Sequence, residues 1–165
     1  MTNVICFANN KGGSGKSTTC SNLASALGIM GKKILLIDGD MQMNLSLSFF
    51  DEDKVLECAG NKNNLYDAVT SGRNLSSYIL HTDNDNIDII VSSFLMSSIE
   101  LELGPKKHRE FILRKLLSAV KESGEYDYIL IDAPPTLGIW VTDILCASDK
   151  VIIPVEATPW GLFGL

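Results

Sequence analysis

The stretch Lys11-Gly12-Gly13-Ser14-Gly15-Lys16-Ser17-Thr18-Thr19 decides how this chain is read. It follows the apolar run Val4–Ala8. It leads into a segment where Cys20, Leu23, Ala24, Leu27 and Met30 recur at helical spacing, with Gly31 as the expected stop. A glycine-rich loop between a buried strand and a helix has one main physical use. Its backbone N–H groups turn inward around phosphates, a lysine supplies a point charge, and a hydroxyl reaches a magnesium ion. The N–H groups from Gly13 through Ser14, Gly15 and Lys16 to Ser17 are therefore expected to cradle phosphate, with Gly12 and Thr18 flanking them. Lys16 is expected to bridge the β- and γ-phosphates and Ser17 to ligate Mg²⁺. The strict spacing of such loops would place a first glycine at Asn10. Asn is the best non-glycine choice where positive φ is needed, so the loop is expected to close. Lys11 lies too far forward for its own loop to need it.

Outward from the loop, short apolar runs recur at Ile34–Ile37, Ile87–Val91, Tyr126–Ile131 and Val151–Val155. Such continuous runs suit parallel strands buried on both faces. Between them lie helical patterns. Ile112, Leu113, Leu116, Leu117 and Val120 form one stripe, ended near Gly124, and shorter helices are expected around Leu65–Thr70 and Phe94–Leu103. The alternation predicts a single α/β domain over 1–165, a doubly wound, mostly parallel sheet flanked by helices. Residues 51–86, rich in Asn, Asp and Ser, read as an irregular excursion. Lys150–Glu156 reads as a last strand, and Thr158-Pro159-Trp160-Gly161 as the start of a further helix.

Composition narrows the class. With 165 residues and 45% apolar content, the chain can bury a real core. The net charge of −6 argues against a general nucleic-acid surface on this piece. No apolar run is long enough to span a membrane, and the N-terminus reads as a strand, not a signal peptide. Cys6, Cys20, Cys58 and Cys146 show no metal-ligand spacing and read as buried reduced thiols of a cytosolic protein. His81 and His108 read as isolated surface residues.

Two acidic sites complete the constellation. Ile37-Asp38-Gly39-Asp40 ends the second strand, and Ile131-Asp132-Ala133-Pro134-Pro135 ends a later one. Ligands of open α/β sheets sit at the carboxyl ends of strands. Asp132 is placed to hold Mg²⁺ through water, and either Asp38 or Asp40 could orient an attacking water.

These residues resemble the ParA/MinD family of P-loop ATPases with a deviant Walker A loop, and most closely its ParA (Soj-like) partition ATPases. The loop KGGSGKSTT is similar to the family's KGGxGKTT. ILLIDGDMQMNLS is similar to LLIDxDPQGNxS, YDYILIDAPPTLG to YDYIIIDxPPSLG, and ASDKVIIPVEATPWGLFGL to ADxVIIPVxPexxxxxGL. The likeness covers nearly the whole chain and implies the P-loop NTPase fold. It also implies an ATP-hydrolysing switch that forms an ATP-sandwich homodimer and serves plasmid or chromosome partition, with ATP and Mg²⁺ as cofactors. Lys11 would reach the nucleotide held by the partner subunit, and Gly12 would lie against that subunit. Asp40 would position the attacking water, Asp38 would stand near the metal, and Asp132 to Pro135 would form the second switch.

The family's expected partners are a centromere-binding ParB-type activator and nonspecific DNA, with no membrane. Its expected location is the cytoplasm, on the nucleoid in the complete protein. Met41 and Met43 stand where the family carries Pro and Gly. The family continues with elements that contact adenine and DNA, so this sequence is expected to be truncated at the C-terminus relative to it. The alternative functions are a membrane-associated spatial regulator like MinD and a truncated nucleotide-binding module without turnover.

Overall fold

A computed structural model describes residues 2–157. Six strands among them form one sheet: β1 (Asn3–Phe7), β2 (Ile34–Asp38), β3 (Leu80–His81), β4 (Ile87–Ile90), β5 (Tyr128–Asp132) and β6 (Lys150–Ile152). Their spatial order is β3-β4-β2-β5-β1-β6, parallel throughout except for β3 against β4. The helices are α1 (Lys16–Ile29), α2 (Glu52–Gly60), α3 (Leu65–Ser71), α4 (Ile99–Leu103), α5 (Ile112–Ser123) and α6 (Ile139–Ala147). The expected doubly wound, mostly parallel architecture is present.

Continuous apolar strands bury both faces because alternate residues enter opposite layers. Val4, Cys6, Leu35, Ile37, Ile129 and Ile131 pack with α3, α4, α5 and α6. Ile5, Phe7, Ile34, Leu36 and Leu130 pack with α1 and with Cys58 of α2. The same alternation decides where the acids go. Asp38 and Asp132 are register partners at the ends of β2 and β5, each one residue beyond an Ile of the first layer. Both carboxylates therefore belong to the α1 face.

The expected stripe of α1 is corrected at its end. The buried line is Lys16, Cys20, Ala24 and Gly28, while Met30 is 73% exposed. The small residues of this line let α1 sit close to the sheet. A Cβ at Gly28 would stand 3.2 Å from Ile87. The excursion at 51–86 is more ordered than expected. It holds α2, capped by Asp51, whose side chain accepts from the Lys54 N–H, and β3, which lengthens the sheet. The dense polar composition hid both, because β3 is two residues long and α2 buries only Val55 and Cys58. β6 ends at Ile152, short of the expected Glu156. Pro154 has no N–H to extend that ladder. The helix expected from Thr158 lies outside the described residues.

Cys6, Cys20 and Cys58 are buried free thiols, and Cys146 is half-buried. His81 is exposed but not isolated, since its Nδ1 meets Asp88 at 2.7 Å.

Asp143 holds α5 to α6. Fully buried, it accepts the Leu113 N–H at 3.1 and 3.2 Å on its two oxygens. Burial pushes its pKa up to about 7, against the lowering effect of the Leu113 and Ile112 N–H groups. A raised acid binds its proton more tightly in the fold than in the unfolded chain. Its stabilising contribution is full below the unfolded value of about 3.9 and is lost as pH rises through about 7. Asp143→Asn keeps an acceptor and removes the titration. Thermal unfolding should show a shallower fall in midpoint from pH 4 to 8 for this variant than for the wild type. Identical slopes would contradict the assignment.

Candidate functional site

Among the described residues the start of α1 differs from those of α2, α3, α5 and α6, whose N–H groups meet side-chain oxygens, and from that of α4, which carries Glu100 and Glu102 in its first turn. Asp51 caps α2 and Asn64 caps α3 through side-chain oxygens. α1 begins after Gly15 with no side-chain cap and no acid in its first turn. The opening N–H groups and the positive end of the helix dipole are thus left for an external anion. Gly13 and Gly15 take left-handed backbone, at φ 74° and 85°, which turns the loop inward. Asn10 does not, so the loop closes without the positive φ expected there. Thr19 N–H and Oγ1 both return to the Gly15 carbonyl, at 2.8 and 2.6 Å.

Lys16 is 6% exposed and its Nζ donates to the Lys11 carbonyl at 3.3 Å. A buried ammonium with one backbone acceptor is poised for a stronger anionic partner. Lys11 turns the other way. Its Nζ pairs with Glu156 at 2.5 Å, both side chains being partly exposed. Asn9 braces this arrangement, accepting the Lys11 N–H at 2.9 Å and donating from Nδ2 to the Pro154 carbonyl at 2.7 Å. An exposed ion pair adds little stability.

The cleft over the loop has a volume of about 640 Å³. It brings Gly12, Gly13, Ser14, Gly15, Lys16, Ser17 and Thr18 together with Asp40, Gln42 and Pro135. Asp38 and Asp132 do not line it but lie fully buried behind it. A cleft of similar size between α3 and α5, lined by Arg73, Lys106 and Lys115, contains none of these groups.

The three acids have different surroundings. Asp38 accepts from the Ser46 N–H at 2.8 Å, the Ser46 hydroxyl at 2.6 Å and the Asp40 N–H at 3.2 Å. Burial raises its pKa to about 6 in spite of these bonds. Asp40 accepts the Gln42 N–H at 3.1 Å. Asp132 is the unsatisfied one. Neither oxygen has a partner at hydrogen-bonding geometry among the described residues, although the Ser17 hydroxyl stands near enough to favour its ionised form. Burial, with smaller repulsion from Asp38 and Asp40, pushes Asp132 up to about 7, and Lys16 opposes the rise. Two buried acids at adjacent strand ends form a place that a cation would relieve. Sequence reasoning gave no role to Ser46, whose N–H and hydroxyl both donate to Asp38 Oδ2. Its signal is the serine that closes the segment ILLIDGDMQMNLS, eight residues past the strand-end acid.

Met43 sits at φ 56°, where the family pattern carries glycine. Left-handed backbone costs an ordinary residue about 1–2 kcal/mol, partly offset because glycine loses more freedom on folding. Met43→Gly should raise the thermal midpoint by about 2 °C. A lowered midpoint would show that the half-buried Met43 side chain contributes more than its backbone costs.

Among the described residues no helix is long and apolar enough to cross a membrane. Comparison with known proteins gives the geometry its family. The AAA domain family matches residues 2–165. The sporulation initiation inhibitor protein Soj of Bacillus subtilis is 37% identical over 166 residues, covering 100% of this chain and 62% of Soj. The chromosome partitioning protein ParA of Caulobacter vibrioides is 34% identical, covering 98% of this chain and 59% of that protein. A plasmid partition protein from Borrelia burgdorferi, solved with AMPPNP, superposes with a TM-score of 0.86 at 32% identity, over 99% of this chain and 66% of that one. Cobyrinic acid a,c-diamide synthase from Mycobacterium smegmatis, solved with ADP and magnesium, gives 0.85 at 29% identity, over 99% and 64%. The chain thus spans less than two thirds of the length of these curated relatives. By sequence, sheet order and phosphate-loop geometry, it belongs to the AAA domain family of P-loop ATPases, on the ParA/MinD branch that includes the Soj and ParA partition proteins.

Proposed function

We propose that this chain binds MgATP, hydrolyses it, and uses the cycle to close and open a homodimer in plasmid or chromosome partition. One observation carries the reading: the uncapped start of α1 faces a cleft whose wall holds buried Lys16 and, behind it, the unsatisfied carboxylate of Asp132. Gly13, Ser14, Gly15, Lys16, Ser17 and Thr18 would hold the phosphates. The residues fit a magnesium ion, because Asp132 has two free oxygens beside the Ser17 hydroxyl. No cluster of three His, Cys, Asp or Glu side chains occurs among the described residues. An ion there would therefore rely on Ser17, Asp132 and oxygen from phosphate and water, as magnesium does. When bound it would neutralise charge developing on the transferred phosphate. Asp38, already holding Ser46 and the Asp40 N–H, would add negative charge from behind and keep the loop in place.

Asp40 lines the cleft and is assigned to orient the attacking water. Lys11 is assigned to a nucleotide in the partner subunit, and two features support that. Its ammonium points away from its own cradle to an exposed glutamate. Gly12 has ordinary backbone and open space around a Cβ, so nothing among the described residues requires glycine there. A facing subunit would supply that requirement.

The relatives are named for partition, and the family resemblance extends the proposal to a ParB-type activator and nonspecific DNA as partners, in the cytoplasm at the nucleoid. The test is phosphate release from ATP with magnesium, with EDTA, and with added duplex DNA. Magnesium-dependent turnover is expected. Turnover equal to that in EDTA would contradict the proposal.

A further inference from the structure

Trp140, in the first turn of α6, is 1% exposed, and its Nε1–H donates to the Gly39 carbonyl at 3.0 Å. That oxygen belongs to the peptide group joining Gly39 to Asp40. The N–H of the same peptide group, on Asp40, donates to Asp38 Oδ1 at 3.2 Å. The plane immediately before Asp40 is therefore held from both edges. The N–H of Gly39 donates in turn to the Asp132 carbonyl at 2.9 Å. There is little room for Gly39 to shift, since a Cβ there would stand 2.8 Å from that carbonyl and 3.4 Å from Trp140 Nε1.

Trp140 is itself anchored. The N–H groups of Ile139 and Trp140 donate to the Glu100 carboxylate at 2.9 and 3.1 Å, which caps α6 from α4. A continuous path thus runs from Glu100 through the start of α6 and the indole to the peptide before Asp40. Any buried tryptophan needs an acceptor for its N–H. What distinguishes this one is that its acceptor sets the direction of Asp40.

We infer that Trp140 is a positioning residue: its indole N–H fixes the Gly39–Asp40 peptide and ties the loop after β2 to the loop after β5, so that the two shift together. The inference rests on the reading above that Asp40 orients the attacking water. Phenylalanine at 140 keeps an aromatic ring and leaves the buried Gly39 carbonyl without its side-chain donor.

The test is Trp140→Phe with three measurements: ATP affinity by calorimetry, turnover, and amide hydrogen exchange followed residue by residue. Affinity should stay within about threefold, while turnover falls and exchange of the Asp40 amide rises, each about tenfold. Amides of α5 should keep their rates. In the wild type, the indole N–H resonance that the variant lacks should shift when magnesium and AMPPNP are added. Unchanged Asp40 exchange would overturn the inference. So would a uniform rise in exchange along the chain with equal losses of affinity and turnover, because that is loss of packing alone. Failure of the parent reading looks different. Wild-type turnover no greater than that of Lys16→Ala removes the ATPase, while Asp40 exchange still decides the clamp.

Discussion

Lys16→Ala is expected to lower ATP turnover by roughly 100-fold or more and to remove most nucleotide binding. The magnitude follows from where the ammonium sits. Lys16 is 6% exposed at the uncapped start of α1, so its charge acts on phosphate with little screening by water. It also opposes the rise in the Asp132 pKa. Removing it therefore takes away a phosphate contact and weakens the ionised form of the acid assigned to magnesium. The loop itself should survive, because Gly13, Gly15 and the Thr19 contacts to the Gly15 carbonyl set its course. Calorimetry and phosphate release check this against the wild type, with thermal unfolding to confirm the fold. Turnover indistinguishable from the wild type would contradict the site.

Asp40→Ala is expected to separate binding from chemistry. Asp40 lines the cleft with the phosphate loop, and its carboxylate accepts the Gln42 N–H. Its loss leaves the cradle, Lys16 and Asp132 in place. ATP affinity should stay within a few-fold, while hydrolysis falls roughly 100-fold or more, the range for a carboxylate that positions or deprotonates a nucleophile. The bound nucleotide should then persist as ATP when extracted and analysed. Rapid conversion to ADP would assign the water to another group.

The sheet and the phosphate loop were legible because their signals are local. Unbroken apolar runs mark strands buried on both faces, and the glycine and lysine spacing of 11–19 marks the turn between the first strand and its helix. The strand-end acids were legible for the same reason, and the Asp38–Asp132 register places both on the α1 face. What escaped depends on contacts distant in sequence. Asp38 reads, by resemblance, as an acid near the metal, and its hold by Ser46 and the Asp40 N–H was not legible. The sequence assigns Trp140 no role, yet its indole reaches the carbonyl of Gly39, 101 residues earlier. β3 and α2 were missed because each buries too few residues to leave a period in a polar stretch.

The central claim is a nucleotide-driven switch that uses two chains. Its most direct test is the mass of the protein by light scattering, in magnesium with ATP and in magnesium with ADP, for the wild type and for Lys11→Ala. The account predicts a doubled mass for the wild type in ATP and a single-chain mass in ADP. It predicts that Lys11→Ala still binds ATP but stays at single-chain mass. A wild type that binds ATP without changing mass, or a Lys11→Ala variant that dimerises as the wild type does, would contradict it.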